Sequence, residues 1–174
     1  MNLEFFIARL AANAEAIERL LKDVEEVQGR WKPAPEKWSI LEVVCHLCDE
    51  ERLDFRTRLD LTLHSPGKEW PPVDPIAWVT EHQYAGKNLR EQSLLFYAER
   101  QRSIGFLKGL EAPDWSASYS HPKLGEITAG SLLGSWLAHD YLHMRQLANL
   151  HYLHVAQEIA PHSLDYAGPW NPNG

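Results

Sequence analysis

The chain contains 174 residues, of which 44% are hydrophobic and 24% are charged, and its formal net charge at pH 7 is −7. These are ordinary values for a globular protein with a sizeable core. An acidic balance without a basic patch argues against nucleic-acid binding and against docking on an anionic membrane. No apolar run approaches the roughly 18 residues of a membrane-spanning helix.

The ends of the chain and its cysteines bear on compartment and domain organisation. The N-terminus reads as an amphipathic helix and not as a signal peptide, because no basic stretch precedes an uninterrupted apolar core. Cys45 and Cys48 suit a reducing compartment and are too few for a disulfide framework. We therefore expect a cytoplasmic protein with a single domain over 1–174. Its core should cover about 2–155, and a coil tail should cover 161–174.

The first two helical segments are separated by a proline-rich break. Apolar residues recur at helical spacing from about 2 to 28, which predicts the first helix. Two prolines in the following WKPAPEKW cannot continue it. Ser39 and Glu42 form the S-x-x-E pattern of a capping box, so a second helix is predicted from Ser39 through Leu63.

The second half of the chain predicts two further helical segments. HSPGKEWPPVD is the longest loop signal, and Asp74 followed by Pro75 is typical of a helix N-terminus. The third segment should extend to about Leu110 with an interruption near Gly86. After an irregular, partly extended connection, the fourth helix should run from about Thr128 to Leu150 or slightly beyond. Four helices without long β-type alternation predict an all-α four-helix bundle, with middle connections too long for a simple up-down arrangement.

The fourth helix carries His139 and His143, four residues apart in HDYLHMRQL. Residues at this spacing share a helix face, with Cβ atoms about 5–6 Å apart. At 100° per residue, both histidines lie on an apolar stripe with Leu132 and Leu150. Two desolvated imidazoles need partners, so a hydrogen-bonded core pair and a pair of metal ligands are alternatives of about equal weight. The stretch lacks the glutamate of an HExxH site, and an ion requires a third ligand.

The second helix supplies a candidate for that ligand. His46 shares a helix face with Glu42, Glu50 and Leu53. A bundle could place His46 opposite the pair on the fourth helix, and three neutral imidazoles would leave a coordination position open, as in catalytic sites. Zinc or nickel is the expected ion, with iron, cobalt and manganese as alternatives.

The segments WSILEVVCHLCDEE and HDYLHMRQL, with HPKLGEIT before the last helix, resemble the DinB-like (YfiT-like) family of metal-binding four-helix bundles over about 5–150. The resemblance implies that His46, His139 and His143 are the metal ligands. It also implies an enzyme acting on a small-molecule substrate, either a thiol S-transferase that uses a low-molecular-weight thiol or a hydrolase, and a homodimer. The alternative is a non-catalytic metal-binding or stress-response bundle.

For the other residues that could take part in a site, we expect structural roles. The Cys45-x-x-Cys48 pair lacks the second C-x-x-C of a closed zinc site and points away from His46, so buried structural cysteines are expected. Glu50 and Asp140 could orient a ligand imidazole, but each is expected to be a surface charge. Trp136 could wall a pocket. The sequence singles out no catalytic residue, and packing or solvated roles are expected for the remaining histidines, which are His64, His82, His121, His151, His154 and His162.

Overall fold

The structure, a computed structural model, describes residues 1–171 and is mainly helical. Within these residues, no helix is both long enough and apolar enough to cross a membrane. A π-helical segment (Glu50–Phe55) joins α3 and α4 into one continuous helix. The elements are, in chain order, α1 (Leu3–Leu21), α2 (Glu26–Arg30), α3 (Ile40–Asp49), the π-helical segment, α4 (Arg56–His64), α5 (Pro75–Glu81), a 3-10 turn (Tyr84–Gly86), α6 (Leu89–Lys108), β1 (Ser118–His121), β2 (Gly125–Thr128), α7 (Ala129–Glu158) and a 3-10 turn (Asp165–Ala167).

Four long elements form the bundle, namely α1, the continuous helix over 40–64, α6 and α7. The continuous helix and α6 run parallel. The Cys48 thiol donates to the backbone oxygen of Gln92, and further along both helices Arg56 donates to the hydroxyl of Ser103. A parallel pair needs a long crossover, and the chain between 65 and 88 provides it.

The helices α1 and α7 also run parallel to each other. Arg9 donates to the hydroxyl of Tyr141, and further along both helices His151 bonds the backbone oxygen of Leu20. By contrast, the continuous helix and α7 are antiparallel, because His46 contacts His139 and His143. Phe55, further along the continuous helix, contacts Trp136 and His139, which lie earlier on α7. The bundle therefore consists of two parallel pairs, and the expectation that it departs from a simple up-down arrangement is confirmed.

The predicted helix starts are present. The Ser39 hydroxyl accepts from the Glu42 backbone N–H, and the Glu42 carboxylate accepts from the Ser39 backbone N–H, which completes the capping box. The Asp74 carboxylate accepts two backbone N–H groups at the start of α5, where Pro75 is the first helical residue. Thr128 caps α7 in the same way. These local bonds fix where the chain enters the bundle.

Two helix boundaries differ from the sequence prediction. The first helix ends at Leu21, because Lys22 is extended and Asp23 adopts a left-handed backbone conformation with φ of 62°. A separate short helix, α2, then follows. The last helix continues to Glu158, well past the predicted end near Leu150. No proline or glycine interrupts that stretch of sequence, so nothing local stops it earlier.

The irregular connection before α7 contains a small β-hairpin. Strands β1 and β2 pair antiparallel, and Gly125 has a positive φ of 73° at the start of the second strand. Tyr119 of β1 stacks on Trp70 of the preceding loop with ring centroids 4.2 Å apart. The expectation of little or no sheet is met within residues 1–171 by this one two-stranded hairpin.

The hydrophobic core is split by a polar layer at one level of the bundle. Two clusters of buried apolar side chains lie towards opposite ends, one including Leu47 and Leu147 and the other including Phe55 and Leu133. Between them every long helix contributes buried polar side chains. We call this set the polar layer. It comprises Asn13, His46, Glu50, Glu51, Glu99, Arg100, Ser103 and Asp140.

Candidate metal centre

His46, His139 and His143 meet at the edge of the polar layer. The Nε2 atom of His46 lies 3.3 Å from that of His139 and 3.1 Å from that of His143. The Nε2 atoms of His139 and His143 are 3.1 Å apart. The structure therefore brings together all three histidines that the sequence singled out. Within residues 1–171, this is the one group of three such side chains close enough to share an ion.

The helix geometry explains why the three rings converge. His139 and His143 are one turn apart on α7, so their rings project from one face. His46 projects from the facing side of α3 and is only 4% exposed. Its two partners are half-buried. The cluster is therefore closed on the α3 side and accessible from the α7 side.

The three imidazoles are neutral. Burial, reinforced by the other two rings, lowers the pKa of His46 to about 2. Burial and the neighbouring His143 lower the pKa of His139 to about 3, and burial also lowers the pKa of His143. Neutral imidazole nitrogen is the form that binds a metal ion, so the electrostatics of the site favour ligation over protonation.

A hydrogen bond fixes the tautomer of His143. Its Nδ1 lies 2.8 Å from Oε1 of Gln146, which can only accept, so Nδ1 carries the proton. The lone pair of Nε2 then faces the other two rings. Metal-bound histidines usually show this arrangement, in which the outer nitrogen donates to a neighbouring acceptor. Gln146 lies three residues after His143, and side chains at this spacing are neighbours on a helix, so the sequence could have predicted the contact.

The spacing of the nitrogens matches one ion. Transition-metal–imidazole bonds are about 2.0–2.1 Å long, so two such nitrogens are about 3.3 Å apart at a tetrahedral angle and about 2.9 Å apart at a right angle. The observed separations of 3.1–3.3 Å lie within this interval. Three neutral nitrogen donors suit zinc, nickel, cobalt or ferrous iron. The residues present therefore fit a divalent transition metal.

Glu50 lies behind His46, and the expectation that it is a surface charge was wrong. Its side chain is buried, and its Oε1 atom lies 3.7 Å from Nδ1 of His46. Burial, together with the neighbouring Asp54, raises the pKa of Glu50 to about 9, so the carboxyl is neutral at pH 7. Its carboxyl group hydrogen-bonds to that of Asp54, and Oδ1 of Asp54 lies 2.9 Å from Nε of Arg58.

Glu50, Glu51, Asp54 and Phe55 lie in the π-helical segment and are buried. A wider turn over Glu50–Phe55 rotates the following residues relative to a regular helix. Phe55 contacts Trp136 and His139 of α7. Sequence periodicity assumes 100° per residue, which places Glu50 on the face of His46 but misplaces residues that follow the wider turn.

Asp140 is also buried, which corrects its assignment as a surface charge. It faces away from the three-histidine cluster and forms a two-bond ion pair with Arg100. Glu51 accepts from Arg100, from the Ser103 hydroxyl and from the indole N–H of Trp136. Trp136 is therefore anchored in the polar layer. It stacks on Phe55 and does not itself line the accessible side of the cluster.

Two aromatic side chains flank the histidines directly. Trp38 packs edge-on against His46, with ring centroids 4.9 Å apart. Phe55 contacts His139, with centroids 5.2 Å apart. Apolar walls of this kind lower the local polarity around an ion and strengthen its electrostatic effect on a bound molecule.

The cysteines take no part in the cluster. Cys45 and Cys48 are each 1% exposed, and the Cys48 thiol donates to the backbone oxygen of Gln92. Burial raises the pKa of Cys45 to about 12 and also raises the pKa of Cys48. Both thiols are therefore protonated at neutral pH, as expected for structural cysteines.

Several remaining histidines have partners of their own. His151 bonds the backbone oxygen of Leu20, and His64 pairs with Asp60 on the surface. His82 bonds the buried carboxylate of Asp49.

A groove of about 830 Å³ lies at a different place, where α1 ends and α6 begins. These features are separate from the three-histidine cluster.

Comparison with known proteins identifies a family and a related sequence. The model of the DinB superfamily matches residues 9–147. A protein of Oceanobacillus iheyensis, whose name places it provisionally among metal-dependent hydrolases, is 28% identical over 115 residues. This match covers 65% of the present chain and 64% of that relative, which is less than two thirds of its length.

The fold is shared with a solved structure. YfiT from Bacillus subtilis, described as "a probable metal-dependent hydrolase with an unusual four-helix bundle topology", superposes with a TM-score of 0.76. The superposition covers 86% of each chain at 19% sequence identity. The predicted DinB-like four-helix bundle is therefore confirmed. The role of the three histidines as metal ligands stays a prediction.

Proposed function

Because the chain belongs to the DinB superfamily, we propose that it is a metal-dependent enzyme in which His46, His139 and His143 hold one divalent transition-metal ion. The observation that carries this proposal is the convergence of three neutral Nε2 atoms within 3.3 Å of one another. Zinc and nickel are the ions we favour, since a set of three imidazoles suits both.

Hydrolysis of a small-molecule substrate is the reaction class that we favour, and the names of the two relatives support it. When bound, the ion would polarise a substrate carbonyl or phosphoryl group and lower the pKa of a coordinated water. His46 blocks approach from the α3 side. The substrate therefore reaches the site from the half-buried side formed by His139 and His143.

The flanking aromatic side chains would contribute to substrate binding. Trp38 contacts His46 and Phe55 contacts His139, so both rings offer apolar surface beside the cluster. Such surface packs against the apolar part of a substrate and keeps bulk water away from the polarised group. No carboxylate of residues 1–171 joins the three histidines in the cluster.

The family resemblance seen in the sequence also admits transfer of a low-molecular-weight thiol at the same site. A non-catalytic ion that only ties α3 to α7 is the remaining alternative. Elemental analysis of the purified protein should find close to one divalent metal ion per chain. The metal-loaded protein is then screened on a panel of esters, amides and phosphoesters, and in parallel for thiol consumption with an electrophile.

We expect ester, amide or phosphoester cleavage that chelation abolishes and that added metal restores. Thiol consumption without any hydrolysis would assign the site to thiol transfer instead. Bound metal with neither activity would support the non-catalytic alternative. A protein that purifies without metal and takes none up would contradict the proposal altogether.

A further inference from the structure

The convergence of the three Nε2 atoms does not determine what the other nitrogen of each ring, Nδ1, bonds to. All three rings point Nε2 towards one another, so Nδ1 of each ring lies on the outer side of the cluster. For His143 this nitrogen donates to Gln146. A ligand imidazole whose Nδ1–H lacks an acceptor is free to rotate about its side-chain torsions, and its orientation towards the ion is then less well fixed.

His46 has an unusual environment on this side. Its Nδ1 is fully buried and makes no hydrogen bond within the part of the chain that the structure describes. The polar atom recorded beside it is Oε1 of Glu50, at 3.7 Å. Buried N–H groups without a partner are rare in folded proteins, because they give up their bonds to water and receive none in return.

Glu50 is placed to be this partner. It lies four residues after His46, on the same helix face, and both side chains are almost completely buried. The separation of 3.7 Å exceeds a normal hydrogen bond by about half an ångström. The terminal torsion of a glutamate side chain is broad, so a small rotation of the carboxyl group covers that difference.

The carboxyl group of Glu50 is itself supported from the other side. Asp54 lies one turn further on and hydrogen-bonds to it, and Arg58 pairs with Asp54 at 2.9 Å. His46, Glu50, Asp54 and Arg58 thus form a row along one face of the continuous helix, at intervals of four residues. The row ends at Arg58, whose guanidinium lies over the ring of Trp70.

We propose that Glu50 is a positioning residue that accepts a hydrogen bond from Nδ1 of His46 and so holds Nε2 of that ring towards the ion. This inference rests on the proposed function, since it concerns the same metal centre. Glu50 does not face the open side of the cluster, so it acts through His46 and not on the substrate.

The test compares cobalt binding by the wild-type protein and by variants of Glu50. Glu50→Met removes the acceptor at similar volume, and Glu50→Gln keeps an acceptor oxygen without the carboxylate. Asp60→Ala is the matched control, because Asp60 also pairs with a histidine four residues away, but on the exposed surface. Affinity is measured by competition with a chelator, and the visible spectrum of bound cobalt reports the ligand geometry.

Loss of an outer hydrogen bond to a ligand histidine typically lowers metal affinity by about 10–100-fold. We expect a loss of this size and an altered cobalt spectrum for Glu50→Met. Affinities close to wild type are expected for Glu50→Gln and Asp60→Ala. Rescue by Glu50→Gln separates positioning from a general effect on folding. If Glu50→Met fails to fold, Glu50→Ala takes its place.

Two results would overturn the inference. One is wild-type affinity and spectrum in a folded Glu50→Met or Glu50→Ala variant. The other is a loss in Glu50→Gln as large as that in Glu50→Met, since the accepted hydrogen bond would then not be what matters. Both leave the proposed function intact, because the wild-type protein still binds cobalt. A wild-type protein that binds no cobalt would instead contradict the metal centre itself.

Discussion

Arg100 and Asp140 form a two-bond ion pair in the interior of the bundle. Nη2 of Arg100 lies 2.7 Å from Oδ1 of Asp140, and Nη1 lies 2.8 Å from Oδ2. Both side chains are 1% exposed. Asp140 directly follows His139 on α7, so this pair attaches the part of α7 that carries the proposed metal ligands to α6. The same guanidinium also binds Glu51, so it serves two buried carboxylates.

Replacing Arg100 should strongly destabilise the fold. Arg100→Met leaves the carboxylates of Glu51 and Asp140 buried without their cation. Removing one partner of a buried ion pair typically costs about 3–5 kcal/mol. The free energy of unfolding, measured by urea denaturation followed by circular dichroism, should fall by this amount.

Arg102 supplies the control for this prediction. It lies two residues further along α6 and pairs with Glu99, but its side chain is 66% exposed. Glu99 keeps Arg56 as a second cation at 2.7 Å, so Arg102→Met leaves no buried carboxylate unpaired and should cost only about 0–1 kcal/mol. Equal losses for the two variants would show that the buried position of Arg100 adds nothing to the free energy of unfolding.

Metal content should depend on each of the three histidines. His46→Ala, His139→Ala and His143→Ala each leave two imidazoles, which bind an ion much more weakly than three. Elemental analysis should therefore find far less than one metal ion per chain in every variant. Full metal content in His46→Ala, with loss in His139→Ala, would rule out a site shared between α3 and α7.

His151→Ala is the matched control on the same helix. Its ring bonds Leu20 and Gln28, so the variant should lose some stability. It should nevertheless retain its metal, because the ring lies away from the cluster. This control separates loss of a ligand from a general loss of folding.

Metal binding should raise the melting temperature. The ion joins α3 to α7 in the folded state and has no such site in the unfolded chain. At a free metal concentration 100 times the dissociation constant, the stabilisation is about 2.7 kcal/mol. For a chain of this size that corresponds to roughly 5–10 °C. Differential scanning calorimetry with and without metal measures the shift, and it should vanish in His139→Ala.

The two cysteines should be unreactive in the folded protein. Both side chains are 1% exposed, so a thiol reagent cannot reach them without unfolding. Addition of Ellman's reagent to the native protein should show no fast phase, whereas the protein in denaturant should show two reactive thiols. A fast phase without denaturant would mean that the α3 face bearing the cysteines opens readily.

Local chemistry explains which features the sequence could predict. Ser39 with Glu42 and Asp74 with Pro75 are capping patterns, and each pattern needs only four residues or fewer to act. The i,i+4 spacing of His139 and His143 fixes their shared face in any helix. Helix geometry offered His46 as a candidate third ligand. Only the family resemblance implied that it meets the pair, because the bundle topology decides which helix face meets which.

Non-local effects explain what the sequence did not predict. The burial of Asp140 depends on Arg100, which is distant in the chain and looks like an ordinary charged residue of an amphipathic helix. Glu50 shares the face of His46 at regular helical spacing, but its burial depends on the packing around α3, every residue of which is buried. The helix break at Asp23 follows from a left-handed backbone conformation that the surrounding helix-forming residues do not reveal.

The polar layer has a consequence for attempts to stabilise this protein. Apolar replacements for buried ion pairs are often neutral or stabilising, so an all-apolar layer is an obvious engineering target. Each helix of the bundle, however, could then slide past its neighbour, since one apolar side chain substitutes for another at little cost. A shift of one turn displaces a helix by about 5.4 Å, which would separate His46 from the two histidines of α7. Thermal stability gained in this way would come with the loss of the three-histidine cluster and of the metal site proposed for it.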